Sequence, residues 1–598
     1  MKKLYWSVVA GLVVGCMSLA SGAGAETDSP SLSDQIDELF ADWDSSTAPG
    51  IVAAVIEDGR IAYENAFGMA DLERGVALSP RSALEIGSIS KQFTAMCILL
   101  LENDGKLSLD DDVRLHIPEL PDYGSPITIR QLLHHTSGIR DIETLVPLAG
   151  WHYTNYYSPA RQLELISRQR KLNFTPGSQF LYSNSGYLLL AYIVERVSDQ
   201  TLREFAEEQI FQPLGMRHTV FWDTPGQIVK DRAIPYGPGP EGGYQMELWY
   251  LPFAGPSGLY TTVQDLALWD ANFYANKLGG GDALIQRMLT PGSLLEGEST
   301  NYAAGLAVSD YGGQTVYEHG GAWMGFRAQM SRFPDRRLTV IMLSNASSVG
   351  VSVSSVAELF QGSEDGTPET ESTSYEEPST IDLPPATLTE FEGTYWNEDG
   401  LLLRTIEVRE GVLHYVRSEE STTELGAIEA GRFVMVGVGA RVDVEFAAGN
   451  GTAAQSMTVT IEGEEPLPFE RLELRPAESQ AGHEGRYWSD ELERELRLEI
   501  EDGKLHLAWA DNGPRVPMVQ VGPDDFLARQ FVAIPWNPQD VRILVERDES
   551  DQVTGLNLSC DMVNLPENQL ESFVIGRLQG ISWRNNIELL GVTPVSYT

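Results

Sequence analysis

Gly87-Ser88-Ile89-Ser90-Lys91 leads directly into Phe93-Thr94-Ala95-Met96-Cys97-Ile98-Leu99-Leu100, an apolar helical run. On a helix, residues three apart share a face, so the Lys91 amine can sit beside the Ser88 hydroxyl. At a buried helix N-terminus that amine is desolvated and feels the positive end of the dipole. Both effects favour the neutral amine, which can accept the serine proton. The chain has only 8 lysines against 34 arginines, and no other lysine follows a serine or threonine by three positions. Alone, the pattern also describes a helix cap followed by a surface lysine.

Two further pieces change that weight. Thr175-Pro176-Gly177-Ser178-Gln179-Phe180-Leu181-Tyr182-Ser183-Asn184 opens a second apolar helix, expected over Ser185 to Val197. Tyr-x-Asn also occurs at Tyr153 and Tyr274, but only Tyr182 follows a Pro-Gly turn and precedes a long helix. Glu318-His319-Gly320-Gly321-Ala322-Trp323 then follows the strand-like Thr315-Val316-Tyr317. The look-alikes of His319-x-Gly321 lie elsewhere, His483 in a repeat and Lys277 in a Gly-rich loop.

In this order the three pieces resemble the serine β-lactamase/penicillin-binding-protein-like hydrolases. That superfamily includes class C β-lactamases, DD-peptidases, related esterases and the D-aminopeptidases of the S12 type. Ile129-Arg130-Gln131-Leu132-Leu133-His134-His135-Thr136-Ser137-Gly138-Ile139 and Gly255-Pro256-Ser257-Gly258-Leu259-Tyr260-Thr261-Thr262 add to the resemblance, which spans residues 32–361. It implies an α/β β-lactamase/transpeptidase-like domain, an antiparallel sheet flanked by helices. It also implies that Ser88 is the acylated nucleophile, with Lys91 and Tyr182 sharing general acid–base work, either as neutral amine or as phenolate beside a cationic lysine. Asn184 would bind the acyl-side amide, and the backbone N–H groups of Ser88 and Ala322 would form the oxyanion hole. Gly320 and Gly321 suit a strand that substrate approaches closely. His319 stands where β-lactamases carry a lysine that helps hold a substrate carboxylate. A largely neutral imidazole holds an anion less well, and His-x-Gly matches D-aminopeptidases and some esterases better. His134 and His135 read as structural.

Outside residues 32–361 the chain has a different texture. Residues 362–383 form an acidic linker, too polar to fold alone. Glu392-Gly393-Thr394-Tyr395-Trp396 then reappears as Glu484-Gly485-Arg486-Tyr487-Trp488, and Glu410-Gly411-Val412-Leu413-His414 as Asp502-Gly503-Lys504-Leu505-His506, both at an offset of 92. Two matches at one offset mark two copies of one unit. Alternating segments such as Leu403-Arg404-Thr405-Ile406-Glu407-Val408 predict small antiparallel barrels or sandwiches, over 384–475 and 476–598. His414 and His506 read as strand packing or rim residues. These copies resemble the paired eight-stranded, lipocalin-like barrels that follow the catalytic domain in D-aminopeptidases. There a loop of the last barrel reaches the active site and limits substrates to small residues with a free amine. Asp561 is one candidate for such a contact here, the alternative being a solvated loop.

Composition sets the remaining bounds. The formal net charge is −44, which excludes nucleic acid as a partner because phosphate binding needs clustered Lys and Arg. The acidity suits solubility by self-repulsion, or life in high salt. Met1-Lys2-Lys3, the apolar Leu4 to Met17 and Ala23-Gly24-Ala25 read as an export signal over residues 1–25, so the protein is expected to be periplasmic or extracellular. Val13-Val14-Gly15-Cys16 offers a lipoprotein alternative, with a membrane tether through Cys16. After cleavage only Cys97 and Cys560 persist. Cys97 reads as a buried small hydrophobe. No Cys/His cluster has zinc spacing, and acyl transfer by these side chains needs no metal or organic cofactor. The expected partner is a small-molecule or short-peptide substrate. A D-aminopeptidase-like or other S12-type peptidase leads, ahead of a carboxylesterase or weak β-lactamase/DD-peptidase. A cell-wall glycan- or lipid-binding protein with a degenerate hydrolase domain is the reading from another class.

Overall fold

A strand covered on both faces has no polar side, and Ile51-Val52-Ala53-Ala54-Val55-Ile56 has none. The computed structural model describes residues 31–311, 313–347, 353–361, 378–397, 402–417, 422–438, 441–448, 453–461, 466–472, 482–509, 515–522, 524–532, 539–549, 553–564 and 573–585. Its first domain is built on strands β1 (Ile51–Glu57), β2 (Arg60–Phe67), β3 (Ala307–Tyr311), β4 (Gln314–Trp323), β5 (Phe326–Phe333) and β6 (Leu338–Ser344). They form one antiparallel sheet in the order β3-β4-β5-β6-β1-β2. β1 and β2 are joined by a turn with Asp58 and Gly59 both at positive φ, the geometry that matches strand twist in a tight hairpin.

Helices cover both faces. The principal ones are α1 (Leu32–Leu39), α2 (Ser90–Asn103), α3 (Ile142–Leu148), α4 (Asn184–Ser198) and α5 (Val353–Gln361). Ile51, Ala53, Val55, Val340 and Met342 pack with Ile36 of α1, Phe40 just beyond it, and Val356 and Ala357 of α5. The alternate residues Val52, Ala54, Ile56, Ile341 and Leu343 face the larger core around α2 and α4. Period-two alternation therefore sends β1 into two different cores, which is why it reads as an unbroken apolar run. Helix α2 is buried from Ser90 to Leu101, so it is the central helix of the domain. Cys97 within it is fully buried, as its apolar setting predicted.

Two closed barrels of eight antiparallel strands each follow. The first runs from Gly393–Asn397 to Leu467–Leu472 and closes through Tyr395↔Arg471. The second runs from Gly485–Ser489 to Phe573–Asn585 and closes through Tyr487↔Asn585. The repeat is physical as well as textual. Tyr395 donates its hydroxyl to the carbonyl of Phe391 at 2.8 Å and Tyr487 does the same to His483 at 3.1 Å. Glu410-Gly411 and Asp502-Gly503 are matching turns at positive φ. His414 and His506 lie on strands.

Residues 1–25, including Cys16, and the acidic stretch 362–377 lie outside the described residues, as do the side chains of Cys560 and Asp561. The backbone of Asp561 lies on the strand Val553–Asn564, in register with Arg577. Among the described residues no helix is long and apolar enough to cross a membrane.

Candidate active site

Ser88 sits one step before the helix rather than on it. It occupies a single 3-10 turn, Gly87–Ile89, that continues into α2. The three-residue spacing survives the junction, and Lys91 Nζ donates to Ser88 Oγ at 2.9 Å. Gly87 is at φ +53, and a Cβ there would lie 2.5 Å from the backbone nitrogen of Ala322. A Cβ on Gly321 would lie 2.0 Å from the carbonyl oxygen of Ile86. Two glycines thus let the serine turn and β4 touch backbone to backbone, which brings the Ala322 amide up to the Ser88 turn. Ala322 is exposed on β4, whereas Gly321 and Trp323 are buried.

The lysine is held from three sides. Besides Ser88 it donates to Asn184 Oδ1 at 2.7 Å and to the carbonyl of Pro256 at 3.0 Å. Two of these partners can only accept. A neutral amine gives them its two N–H bonds and turns its lone pair toward the Ser88 hydroxyl, as a base requires. Burial pulls Lys91 down to about 7, while Glu143, Asp141 and Glu85 oppose it by stabilising the ammonium. The Tyr182 ring lies 4.7 Å from Nζ. Burial holds the Tyr182 hydroxyl well above the ordinary tyrosine range, with Ser88 only partly opposing. That hydroxyl is enclosed without a formed hydrogen bond among the described residues.

His319 stands on β4 and its ring is fully engaged. Nδ1 meets the carbonyl of Gly320 at 2.5 Å and Nε2 meets the hydroxyl of Tyr302 at 2.9 Å. A carbonyl only accepts, so Nδ1 carries the proton and Nε2 accepts from Tyr302. Burial, then the nearby Lys91, pushes His319 down to about 3. His134 and His135 are structural, as expected. His134 Nδ1 meets the carbonyl of Tyr302 at 3.0 Å. His135 Nδ1 accepts from the Ser183 amide at 3.0 Å, and its ring packs 4.2 Å from that of Tyr182.

The structure adds residues for which no motif spoke. Asp141 caps the start of α4 by accepting from the amides of Asn184 and Ser185, and it also accepts from the amide of Glu143 at 2.9 Å. Burial raises Asp141 to about 6 and Glu143 to about 8. Glu85 accepts from Gly87 N at 2.9 Å, Gly258 N at 2.7 Å and Ser257 Oγ at 2.7 Å. It thereby ties the serine turn to the loop whose Pro256 carbonyl holds Lys91. Only that loop carried a signal, as one of the family-like segments. His414 and His506 lie in the barrels. So does His483, whose Nε2 meets Asp524 at 2.9 Å. Among the described residues no three His, Cys, Asp or Glu side chains cluster as metal ligands.

A serine with a desolvated lysine three residues on, a tyrosine over the amine and a paired backbone approach is the equipment of a serine hydrolase. Comparison with known proteins agrees. Residues 36–358 match the family described as Beta-lactamase, and the chain belongs to that family as a serine hydrolase. It is 27% identical over 531 residues to a D-aminopeptidase of Brucella anthropi, covering 86% of this chain and 93% of that one. It is 30% identical over 523 residues to a D-aminopeptidase of Cereibacter sphaeroides strain ATCC 17023, covering 86% and 94%. The octameric penicillin-binding protein homologue from Pyrococcus abyssi superposes with a TM-score of 0.50 at 25% identity, covering 73% of this chain and 99% of that one.

Proposed function

We propose that this chain is an exported D-aminopeptidase-like hydrolase that cleaves short amides bearing a free ammonium group through an acyl-enzyme on Ser88. The observation that carries the reading is the charge around Ser88. Asp141 and Glu143 are buried beside Lys91, while His319 is neutral with both nitrogens engaged. Asp141, raised only to about 6, stays mainly ionised at neutral pH, and position 319 offers no free cation for a carboxylate, so the site favours a substrate cation over an anion. The likeness to D-aminopeptidases along most of the chain supports the same substrate class.

In this mechanism neutral Lys91 takes the Ser88 proton as Oγ attacks the amide carbon. The Ser88 and Ala322 amides bind the oxyanion, Asn184 orients the acyl side, and the protonated lysine returns its proton toward the leaving amine. Tyr182 stays a phenol, since burial disfavours its phenolate, and serves as a proton carrier between Ser88 and the leaving group. Water then attacks the ester by the same route. With Lys91 near 7, kcat/KM rises with pH up to about 7 and falls about tenfold per unit below it.

The test compares D-alanine amide, its N-acetyl derivative and p-nitrophenyl acetate on wild type and Ser88→Ala, with mass analysis of trapped protein. The free-amine amide should exceed its acetylated form at least tenfold, with an adduct on the Ser88 peptide. Equal turnover of the two amides overturns the substrate class, and undiminished activity of Ser88→Ala overturns the nucleophile. Export rests on residues 1–25. The mass of the mature N-terminus separates cleavage after Ala25 from lipidation at Cys16.

A further inference from the structure

The second barrel touches the catalytic domain through a side chain on its first hairpin. The tip between its strands Gly485–Ser489 and Arg494–Glu501 presses into the catalytic domain. Leu492 and Leu496 of the barrel share one apolar core with Ile142, Leu145 and Val146 of α3. At the tip, Glu491 meets Arg140 in an ion pair of 3.1 Å, with side-chain exposures of 8% and 0%. The same Glu491 oxygen accepts from the amide of Arg170 at 2.7 Å. Gln169 braces both ends, accepting from Arg140 at 2.9 Å and donating to the Glu491 carbonyl at 3.3 Å.

Arg140 is bonded by its own backbone to the machinery. Its carbonyl accepts from Ser185 Oγ at 2.8 Å, and the next residue, Asp141, caps the amides of Asn184 and Ser185. Asn184 then accepts from Lys91 at 2.7 Å. A chain of short polar contacts therefore runs from Glu491 through Arg140, Asp141 and Asn184 to the amine beside Ser88.

We propose that Glu491 is a positioning residue for catalysis, acting through Arg140 and Asp141 on Asn184 and Lys91. This rests on the reading of Ser88, Lys91 and Asn184 given above. A buried ion pair is poor evidence of stabilisation, because apolar residues of similar size usually serve as well or better. What the charged pair supplies is direction. It fixes where the Arg140–Asp141 backbone lies, and so where the first turn of α4 presents Asn184. The rim pairs differ. Glu493 meets Arg161 at 3.0 Å and Arg168 at 2.5 Å, with side-chain exposures of 24% to 43%, so these pairs are solvent-screened and contribute little.

The experiment uses the full chain. Glu491→Gln removes the charge but keeps an acceptor for the Arg170 amide. The double variant Arg140→Met/Glu491→Leu replaces the pair by apolar side chains and keeps the proposal testable if the single change misfolds. Both should lower kcat at least tenfold with KM altered less than threefold. Both should move the acid limb of kcat/KM, near pH 7 in wild type, down by half a unit or more. The direction follows from Asp141, whose carboxylate supports the Lys91 ammonium. Glu143, Glu85, Tyr182, His135 and His319, the other titratable groups around Lys91, are left in place. Glu493→Gln should match wild type in all three. A folded Glu491→Gln or double variant with kcat and acid limb like wild type overturns the proposal. So does a Glu493→Gln loss equal to that of Glu491→Gln, which would mean mere docking. Ser88→Ala run alongside separates the failures. Activity surviving there removes the site assignment itself, whereas activity lost there but intact in Glu491→Gln removes only the role of Glu491.

Discussion

Adding one methyl group at Gly321 should disable the oxyanion hole while leaving the nucleophile in place. Gly321 is not among the residues at positive φ, so alanine meets no backbone penalty there and the effect is purely steric. Its Cβ would lie 2.0 Å from the Ile86 carbonyl oxygen and 2.8 Å from the carbonyl carbon. An ordinary contact needs about 3.4 Å or more, so β4 and the serine turn must part by about 1 Å or more. Both neighbours are backbone, with no flexible tip to swing away. Oxyanion donors act at about 2.7–3.1 Å, and losing one costs about 10²–10³ in kcat, or about 3–4 kcal/mol. The opening itself costs about 1–3 kcal/mol of stability, typical of an overfilled contact. Gly320→Ala is the matched control, because the one close neighbour of its Cβ would be the side-chain oxygen of Gln329 at 3.1 Å, with the nearest backbone atom at 4.0 Å. Steady-state hydrolysis of p-nitrophenyl acetate, with thermal melting to establish folding, makes the comparison. We expect kcat down by at least a hundredfold in Gly321→Ala, KM little changed, and Gly320→Ala within threefold of wild type. A folded Gly321→Ala with kcat within threefold of wild type would refute the backbone-contact argument.

Two further outcomes follow from the histidines. His319→Lys places a cation where the imidazole now bonds Tyr302, so acylation by a labelled penicillin should accelerate at least tenfold; an unchanged labelling rate would show that a charge at this position is not what excludes β-lactams. Burial pushes His134 down to about 4 from an unfolded value near 6.5, so the unfolded chain binds the extra proton and stability is lost as pH falls from 6.5 toward 4, at about 1.4 kcal/mol per unit at most. Glu85, raised to about 7 by burial, acts in the opposite sense by taking its proton in the folded state first. His134→Asn should therefore lose less stability than wild type between pH 7 and 4.5 in urea titrations, and an identical slope would remove His134 from the acid response.

Fold and site were legible to different depths, for physical reasons. The sheet could be read from β1 and β6 because a strand facing two cores leaves an apolar run that no solvent-facing strand shows. The barrels could be read because the duplication kept the residues that turn and tether each copy, Glu410-Gly411 with Asp502-Gly503 and Tyr395 with Tyr487. Ser88, Lys91, Tyr182, Asn184 and His319 are each marked by local spacing, and the fold brings all five together.

The groups that set the chemistry of those five are the ones no local pattern betrays. Asp141 acts on Lys91 through an amide cap on another helix, Tyr302 engages Nε2 of His319 from a loop, and Glu491 stands some 350 positions from the arginine it holds. None is distinctive in its own stretch of sequence, since an acidic chain with a net charge of −44 offers carboxylates everywhere. Burial is what separates them. An exposed carboxylate near a lysine is screened and ordinary, whereas burial lowers Lys91 to about 7 against the opposing pull of Glu143 and Asp141 in the same dry surroundings. In the proposed mechanism the lysine is thus neutral often enough to act as a base and charged often enough to return the proton. That balance depends on the distance between α4 and the Arg140–Asp141 backbone, a tertiary quantity that the second barrel helps to fix through Glu491.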